Sequence, residues 1–334
     1  MDALITRFKK IGRRSEFYIM LTLVAVCIAV QFRSGQFFTA NNIVDILRAL
    51  IVPAMFVMCE LMVIISGGFD LSFPAVAALS YSLTTTILVN SHYTGSAILP
   101  FVMATVMGLV LGSLNGLLIS YCNLPAMIVT LGTQAVFRSL MLGVLDLREI
   151  SILLPQGMKD FGMTNLFEVI NPVNKLRSTM PVTIFFMIFL VAAVFLLLRF
   201  TLFGRSLYAI GGNEVSAMRA GIKVQRNKFL LYCIVGAMAG MTGMVRVCMA
   251  QQAIPSALFG LEMIVISAVI LGGASIFGGI GTITGALLGI GLVVTVQNSM
   301  LLLGIPTFWQ DFFMGLLILT GITISAVQVN RRKK

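Results

Sequence analysis

The sequence predicts an all-α polytopic membrane protein, a bundle of about ten transmembrane helices. Three observations carry that prediction. Of the 334 residues, 58% are hydrophobic and only 10% charged, where a soluble domain averages about 25% charged residues. The mean hydropathy is +1.01. The apolar residues also run in stretches close to the roughly 20 residues that a helix needs to span a bilayer.

The first stretch, 17–32, follows a basic leader, and no convincing small-residue cleavage site comes after it, so it reads as an uncleaved first helix. Further candidate spans are about 43–66, 74–90, 97–121, 125–145, 181–200, 229–249, 262–280, 283–303 and 308–326. Ten spans is an even number, which places both termini on one side. Fifteen of the 23 Lys and Arg residues fall in three clusters, Arg7 to Arg14, Arg199 to Lys228 and Arg331 to Lys334. Threading the spans forward puts all three clusters inside, as the positive-inside rule requires. The expectation is a single transmembrane domain over 1–334 with both termini cytoplasmic, a cytoplasmic segment at 199–228 and an external loop at 146–180. A loop that long is uncommon without a role. It reads either as a docking surface or plug for something arriving from outside, or as a plain surface cap. The net charge of +11 does not point to nucleic acid, because the basic clusters are topology signals separated by apolar sequence.

Some chemistries are poorly supported. The five cysteines lie in or at the edge of apolar spans and form no C-x-x-C, so neither a disulfide framework nor a zinc site is indicated. His92, the one histidine, sits in a short loop, which leaves an intramembrane enzyme without an evident base. No Gly-Lys dipeptide occurs, hence no Walker A motif. No cofactor is expected in this chain, and any ATP would be hydrolysed by another polypeptide.

The segment 199–228 is the one long polar, basic stretch between apolar blocks. It reads as a short helix: Gly211 and Gly212 turn the chain, Asn213 can N-cap, Glu214 suits the positive helix end, and Gly221 can close it. Such a helix is a handle that a soluble protein can grip, or an ordinary positive-inside loop.

Two stretches interrupt the apolar pattern. In Ser66-Gly67-Gly68-Phe69-Asp70-Leu71-Ser72-Phe73-Pro74 the glycines end one helix, Asp70 or Ser72 can cap the next, and Pro74 suits a first turn. This is a discontinuous helix that offers backbone groups to a polar solute, or a hairpin turn between spans. The second stretch, 271–282, holds five glycines in ten residues, at 272, 273, 278, 279 and 281. Glu60 lies within an apolar span, where a charge costs roughly 2.5–3.5 kcal/mol on insertion scales. It must face the interior, find a partner such as Arg48, Arg138 or Arg246, or be protonated. Asn115, Gln134, Gln297 and Asn298 can hydrogen-bond a neutral polyol or bridge neighbouring helices. Gly108, Gly112 and Gly116, and again Gly281, Gly285 and Gly289, form small-residue ridges that permit close helix packing. Their opposite directions hint at an inverted repeat.

These residues, taken in order, resemble the permease subunits of bacterial ATP-binding-cassette importers of the ribose, or simple-sugar, class. The resemblance covers about 41–328. It rests on Asn42 to Arg48, GGFDLS at 67–72, LNGLLISYCNLPAMIVTLGT at 114–133, FGRSLYAIGGNE at 203–214, RAGIKVQRNKFLLY at 219–232, VILGGASIFGGIGTITGALLG at 269–289 and GIPTFWQDFFMGLLIL at 304–319. It implies a fold of the vitamin B12-importer permease type. It implies a translocation subunit with no catalytic or metal site of its own, in a bacterial inner membrane. The implied partners are a second permease copy, identical or a sibling, a cytosolic ATPase and an external solute-binding protein. Segment 212–222 matches the family's coupling region, so Asn213, Glu214, Arg219 and Gly221 are the candidates for docking the ATPase. The candidates for the translocation pathway are Glu60, Asp70, Ser72, Asn115, Gln297 and Asn298. The chain departs from the family's pattern at Met58-Cys59-Glu60, Phe73-Pro74, Val144 to Arg148, and Ile264 after Glu262-Met263, which bears on the substrate. The alternative is an ion-gradient-driven secondary transporter using Glu60 and Asp70 as proton-coupled carboxylates.

Overall fold

The computed structural model describes residues 15–171 and 175–306, together with Trp309, Phe312, Gly315, Leu316 and Leu319. The basic clusters at Arg7–Arg14 and 331–334, and most of the expected span 308–326, lie outside the described residues. The helices are α1 (Ser15–Ser34), α2 (Ala40–Ile65), α3 (Phe73–Asn90), α4 (Ile98–Ser120), α5 (Ala126–Ser139, continued by a π turn over Leu140–Val144) and α6 (Gln156–Met163). A hairpin of β1 (Asn165–Ile170) and β2 (Arg177–Pro181) follows, then α7 (Ile184–Phe200), α8 (Leu202–Gly212), α9 (Glu214–Arg219), α10 (Val224–Ala250), α11 (Leu261–Leu271) and α12 (Ile283–Leu302).

Seven of these helices, α1 to α5, α10 and α12, are long and apolar enough to cross a membrane, and the α7–α8 pair makes an eighth if its 73° bend is taken within one span. The protein is thus a helical multi-pass membrane bundle. The expected span at 262–280 is helical only over the 11 residues of α11. At 1.5 Å per residue that is about 16 Å, too short to cross by itself.

α2 is the central post. Every residue from Ala54 to Ile65 is fully buried, because α7, α10, α11, α12 and the hairpin all pack around it. The helix pair with the most extensive contact is α4 with α10. A Cβ built on Gly112 would lie 2.8 Å from Gly236 Cα, and one on Gly108 3.0 Å from Gly240 Cα. The ridge seen in the sequence therefore meets a matching ridge on α10, and the two backbones touch. In lipid, where apolar side chains gain little by leaving the solvent, such contact is a main source of helix association. The second ridge packs on α11, with Gly289 against Ala268 and Gly285 against Gly272.

Contacts sort the connections to two ends. At the basic end, the turn after α2, the stretch between α11 and α12, and α8 meet, and Glu16 at the start of α1 accepts hydrogen bonds from Thr282 and Thr284 at 2.5 and 3.0 Å. At the far end, Ile150 bridges Ala253, and Asn42 on α2 accepts from Asn298 on α12 at 2.7 Å. The segment 146–180 also lies at the far end. It is more ordered than the loop the sequence suggests, holding α6 and an antiparallel hairpin with Phe167 opposite Met180. The Asn41 amide clamps that hairpin to α2, donating to Val169 O at 2.9 Å and Leu176 O at 3.2 Å, and Arg48 donates to Thr179 at 3.2 Å. The hairpin is the one departure from an all-α chain among the described residues. It lies beyond the apolar stretches, where strand edges need not face lipid.

Candidate functional site

Four of the six pathway candidates converge. Asp70 Oδ1 accepts hydrogen bonds from the Ser72 N–H at 2.7 Å and the Ser72 hydroxyl at 2.6 Å. The Asn115 amide of α4 donates to Ser72 Oγ at 2.7 Å. Glu60 Oε1 on α2 accepts the Asp70 N–H at 3.3 Å. All four residues are buried. Thr130 of α5 joins them, accepting the Leu71 N–H at 3.1 Å. Glu60 Oε2 and Asn115 Oδ1 are buried without a partner. Glu60 lies five residues, about 7 Å, above the end of α2, so the cluster sits just inside the basic end. The other two candidates lie elsewhere: Gln297 is half-buried on α12, and Asn298 braces Asn42 at the far end.

The first glycine stretch is a turn between two spans and not an interruption within one, since α2 and α3 are each long enough to cross. Neither expected cap is a conventional one. Ser72 is the N-cap residue of α3 but makes no side-chain cap bond, because its hydroxyl is committed to Asp70 and Asn115. Nor does any of the three arginines considered for Glu60 reach it: Arg48 binds the hairpin, Arg138 pairs with Glu262, and Arg246 makes no ion pair among the described residues.

Beneath the polar cluster the two glycine stretches meet α8 mainly through backbone. Gly279 N–H donates to Ile65 O at 2.9 Å. A Cβ built on Gly278 would lie 2.7 Å from Gly67 Cα and 2.8 Å from Gly211 O. Gly67 and Gly278 take φ of +87° and +86°, a region that side chains rarely adopt. Tyr208 of α8 also donates to Gly281 O at 3.0 Å. The last turn of α8 is therefore wedged between the end of α2 and the loop before α12.

The segment 199–228 is two helices where the sequence suggested one. α7 ends at Phe200, α8 bends away, and Asn213 separates it from α9. Asn213 caps as expected, its side-chain oxygen accepting the Ser216 N–H at 2.8 Å. Gly221, at φ +84°, closes α9 with the Ile222 N–H donating to Ala217 O at 3.1 Å, a helix-terminating pattern. Gly211 and Gly212 belong to α8 and do not form the turn. Glu214 pairs with Lys228 of α10 at 2.7 Å. Arg219 is exposed, as are Val215 and Met218, while Ala217 packs on Ile210 and Val224. α9 is thus pinned on one face and open on the other. A cleft of about 570 Å³ opens beside it, lined by Gly68, Ala126, Gly211, Glu214, Lys228 and Tyr232 among others.

Sequence reasoning missed a second polar cluster. Glu262, in the first turn of α11, is buried and accepts from Arg138 at 2.9 Å and Gln134 at 2.7 Å. The available signal was the four-residue spacing of Thr130, Gln134 and Arg138, which sets them on one face of α5.

A family profile described as the branched-chain amino acid transport system permease component matches residues 42–321. A probable ABC transporter permease of Sinorhizobium fredii is 33% identical, over 96% of this chain and 91% of its own. A ribose import permease of Bacillus subtilis is 33% identical over 91% and 90%, and a D-allose transport system permease of Escherichia coli is 30% identical over 94% and 90%. No solved structure matches the chain significantly. The profile and these relatives bear out the resemblance over nearly the whole length. This chain, with its multi-pass bundle and its short capped helix at the basic end, belongs to the family of ABC transporter permease components.

Proposed function

We propose that the chain is the membrane translocation subunit of an ATP-driven importer for a sugar or sugar-like solute, energised by a separate cytosolic ATPase. The backbone wedge of Gly211 between Ile65 and Gly279 is the observation that carries this reading. A soluble partner that grips α9 through Asn213, Glu214, Arg219 and the Gly221 turn would push on α8. With the Gly67, Gly211, Gly278 and Gly279 backbones in direct contact, and Tyr208 bonded to Gly281 O, the junction has little slack, and α8 would move the ends of α2 and α11–α12 together. The polar cluster of Glu60, Asp70, Ser72 and Asn115, about one and a half turns above, would shift with them and offer the solute hydrogen bonds as it passes. The names of the ribose and allose relatives support the substrate class.

In this reading the basic end is cytoplasmic, with both termini there, in the inner membrane of a bacterium. Ten membrane segments follow if the short α11 and 308–326 are counted with the eight above, in a fold of the vitamin B12-importer type. Two permease copies, identical or siblings, form the path, and an external solute-binding protein delivers cargo to the far end. The test is purification of the tagged chain from its host in mild detergent. The expected outcome is a stoichiometric ATPase with a Walker A motif, lost when Glu214 and Arg219 are replaced together. A chain that is isolated alone and gives pH-gradient-dependent uptake in liposomes would overturn the reading in favour of a secondary transporter.

A further inference from the structure

α5 packs on α3 and α4, whereas α11 packs mainly on α2 and α12 and only lightly on α3. Side chains span the gap between them. Glu262 Oε1 takes hydrogen bonds from both Arg138 and Gln134, and the Arg138 guanidinium lies 4.2 Å from the centroid of the Phe259 ring. The side chains of Glu262 and Arg138 are 8% and 29% exposed. The tie is incomplete, since Glu262 Oε2 and Arg138 Nε are buried and unpaired. A two-pronged arginine–carboxylate pair would have satisfied more of them. This single-oxygen pair holds two helices together without saturating either partner.

α11 is a short rod bounded by glycines. Gly260 precedes it at φ +87°, and Gly273 follows it at φ +91°, so both ends are glycine joints. Its C-terminal half is held closely by Gly285 and Gly289 of α12. Its N-terminal end is held to α5 by Glu262. Arg138 lies 12 residues, about 18 Å, along α5 from the basic end, in the outward half of the bundle under the orientation proposed above.

We propose that Arg138 and Glu262 are positioning residues of the transport cycle: their ion pair latches α11 to α5 in the outward half of the bundle, and it opens as α11 tilts on its glycine joints to admit solute from outside. This rests on the importer reading. In the purified complex with its ATPase, spin labels at the exposed positions Ser139 and Met263, diluted with unlabelled copies, report the α5–α11 separation while leaving the pair intact. The expected result is a distance distribution that shifts by several ångströms between nucleotide-free and ATP-trapped complexes. One unchanged distance in a complex that hydrolyses ATP overturns the latch, whereas absence of the ATPase overturns the importer reading itself.

Variants give a second readout, the amount of solute moved per ATP in liposomes, using whichever of D-ribose, D-allose and L-arabinose the wild-type complex takes up. Glu262→Gln and Arg138→Gln are expected to lower that ratio at least threefold in assembled complexes, and the swapped pair R138E/E262R to recover part of it. A purely structural role would reduce assembly and leave the ratio unchanged. That outcome, or a swapped pair as poor as the single variants, counts against the latch.

Discussion

Two adjacent glycines, Gly211 and Gly212, are expected to differ sharply in their response to the same substitution. A methyl group on Gly211 would fall inside the contact radius of the Ile65 carbonyl oxygen and 2.6 Å from Gly279 N, where 3.4 Å marks an ordinary contact. The retreat needed is about 0.8 Å on the Gly279 side and more on the Ile65 side, through the place where Gly279 N–H meets Ile65 O at 2.9 Å. Overpacking of this kind costs about 1–3 kcal/mol, and the lost hydrogen bond about 1 kcal/mol more. Alanine recovers less than about 1 kcal/mol of helix propensity at the end of α8. Gly212 has open space where its methyl would go and serves as the matched control. At roughly 2–4 °C per kcal/mol for chains of 150–250 residues, Gly211→Ala is expected to lower the melting temperature in detergent by several degrees, with Gly212→Ala near wild type. In a complex with the proposed ATPase partner, G211A is also expected to support ATP hydrolysis with less solute moved per ATP, because the wedge no longer seats. Equal melting and equal coupling in the two variants would refute the junction as the point of transmission.

Glu60→Gln keeps an oxygen that can accept the Asp70 N–H, so it is expected to leave the protein in the membrane at wild-type levels while changing uptake. Glu60→Ala strands that buried N–H at a cost of about 1–3 kcal/mol and is expected to reduce the amount of folded protein as well; immunoblots of membranes beside uptake assays separate the two, and loss of the Gln variant from the membrane would argue for a structural role. Asn213→Ala removes the cap of α9, worth about 1 kcal/mol, and is expected to weaken ATPase retention on affinity resin without altering the melting temperature by more than a few degrees. Lys228→Ala breaks a pair whose partners are 22% and 46% exposed; screening holds its worth to about 1 kcal/mol or less, so thermal melts should barely move. Gly236→Ala would bring a methyl 2.7 Å from Gly112 Cα and is expected to part α4 from α10, seen as aggregation in size-exclusion chromatography, whereas Gly132→Ala, in open space, should elute as wild type.

The elements that sequence places well are those fixed by local rules. Asn213 and Gly221 bound α9 as their side chains and backbone freedom require, because capping acts within four residues. The apolar stretches of α2, α3, α4, α10 and α12 are legible because lipid demands a closed helix of a given length. The convergence of Glu60, Asp70, Ser72 and Asn115 is half legible. Asp70 and Ser72 are neighbours in one turn, and an acid within a span must face inward, but the arrival of Asn115 from α4 depends on which faces pack. Gln297 and Asn298 look like Asn115 in the sequence, yet they do not join this cluster, because the register of α12 carries Asn298 to the far end and Asn42.

What the sequence by itself determined was the class of molecule, most of its membrane segments, the capped helix at its basic end and its family. Each follows from composition or from interactions between residues close in the chain. The tertiary structure decided the rest: that two distant glycine stretches and α8 share one backbone junction, that Arg138 answers Glu262 and not Glu60, and that 262–280 breaks after Leu271. Glycine carries no side chain by which a pattern could announce its partner. A charge in an apolar span announces only that it needs one. Which partner it meets is set by helix tilt and rotation, and these come from packing along the whole length of the bundle.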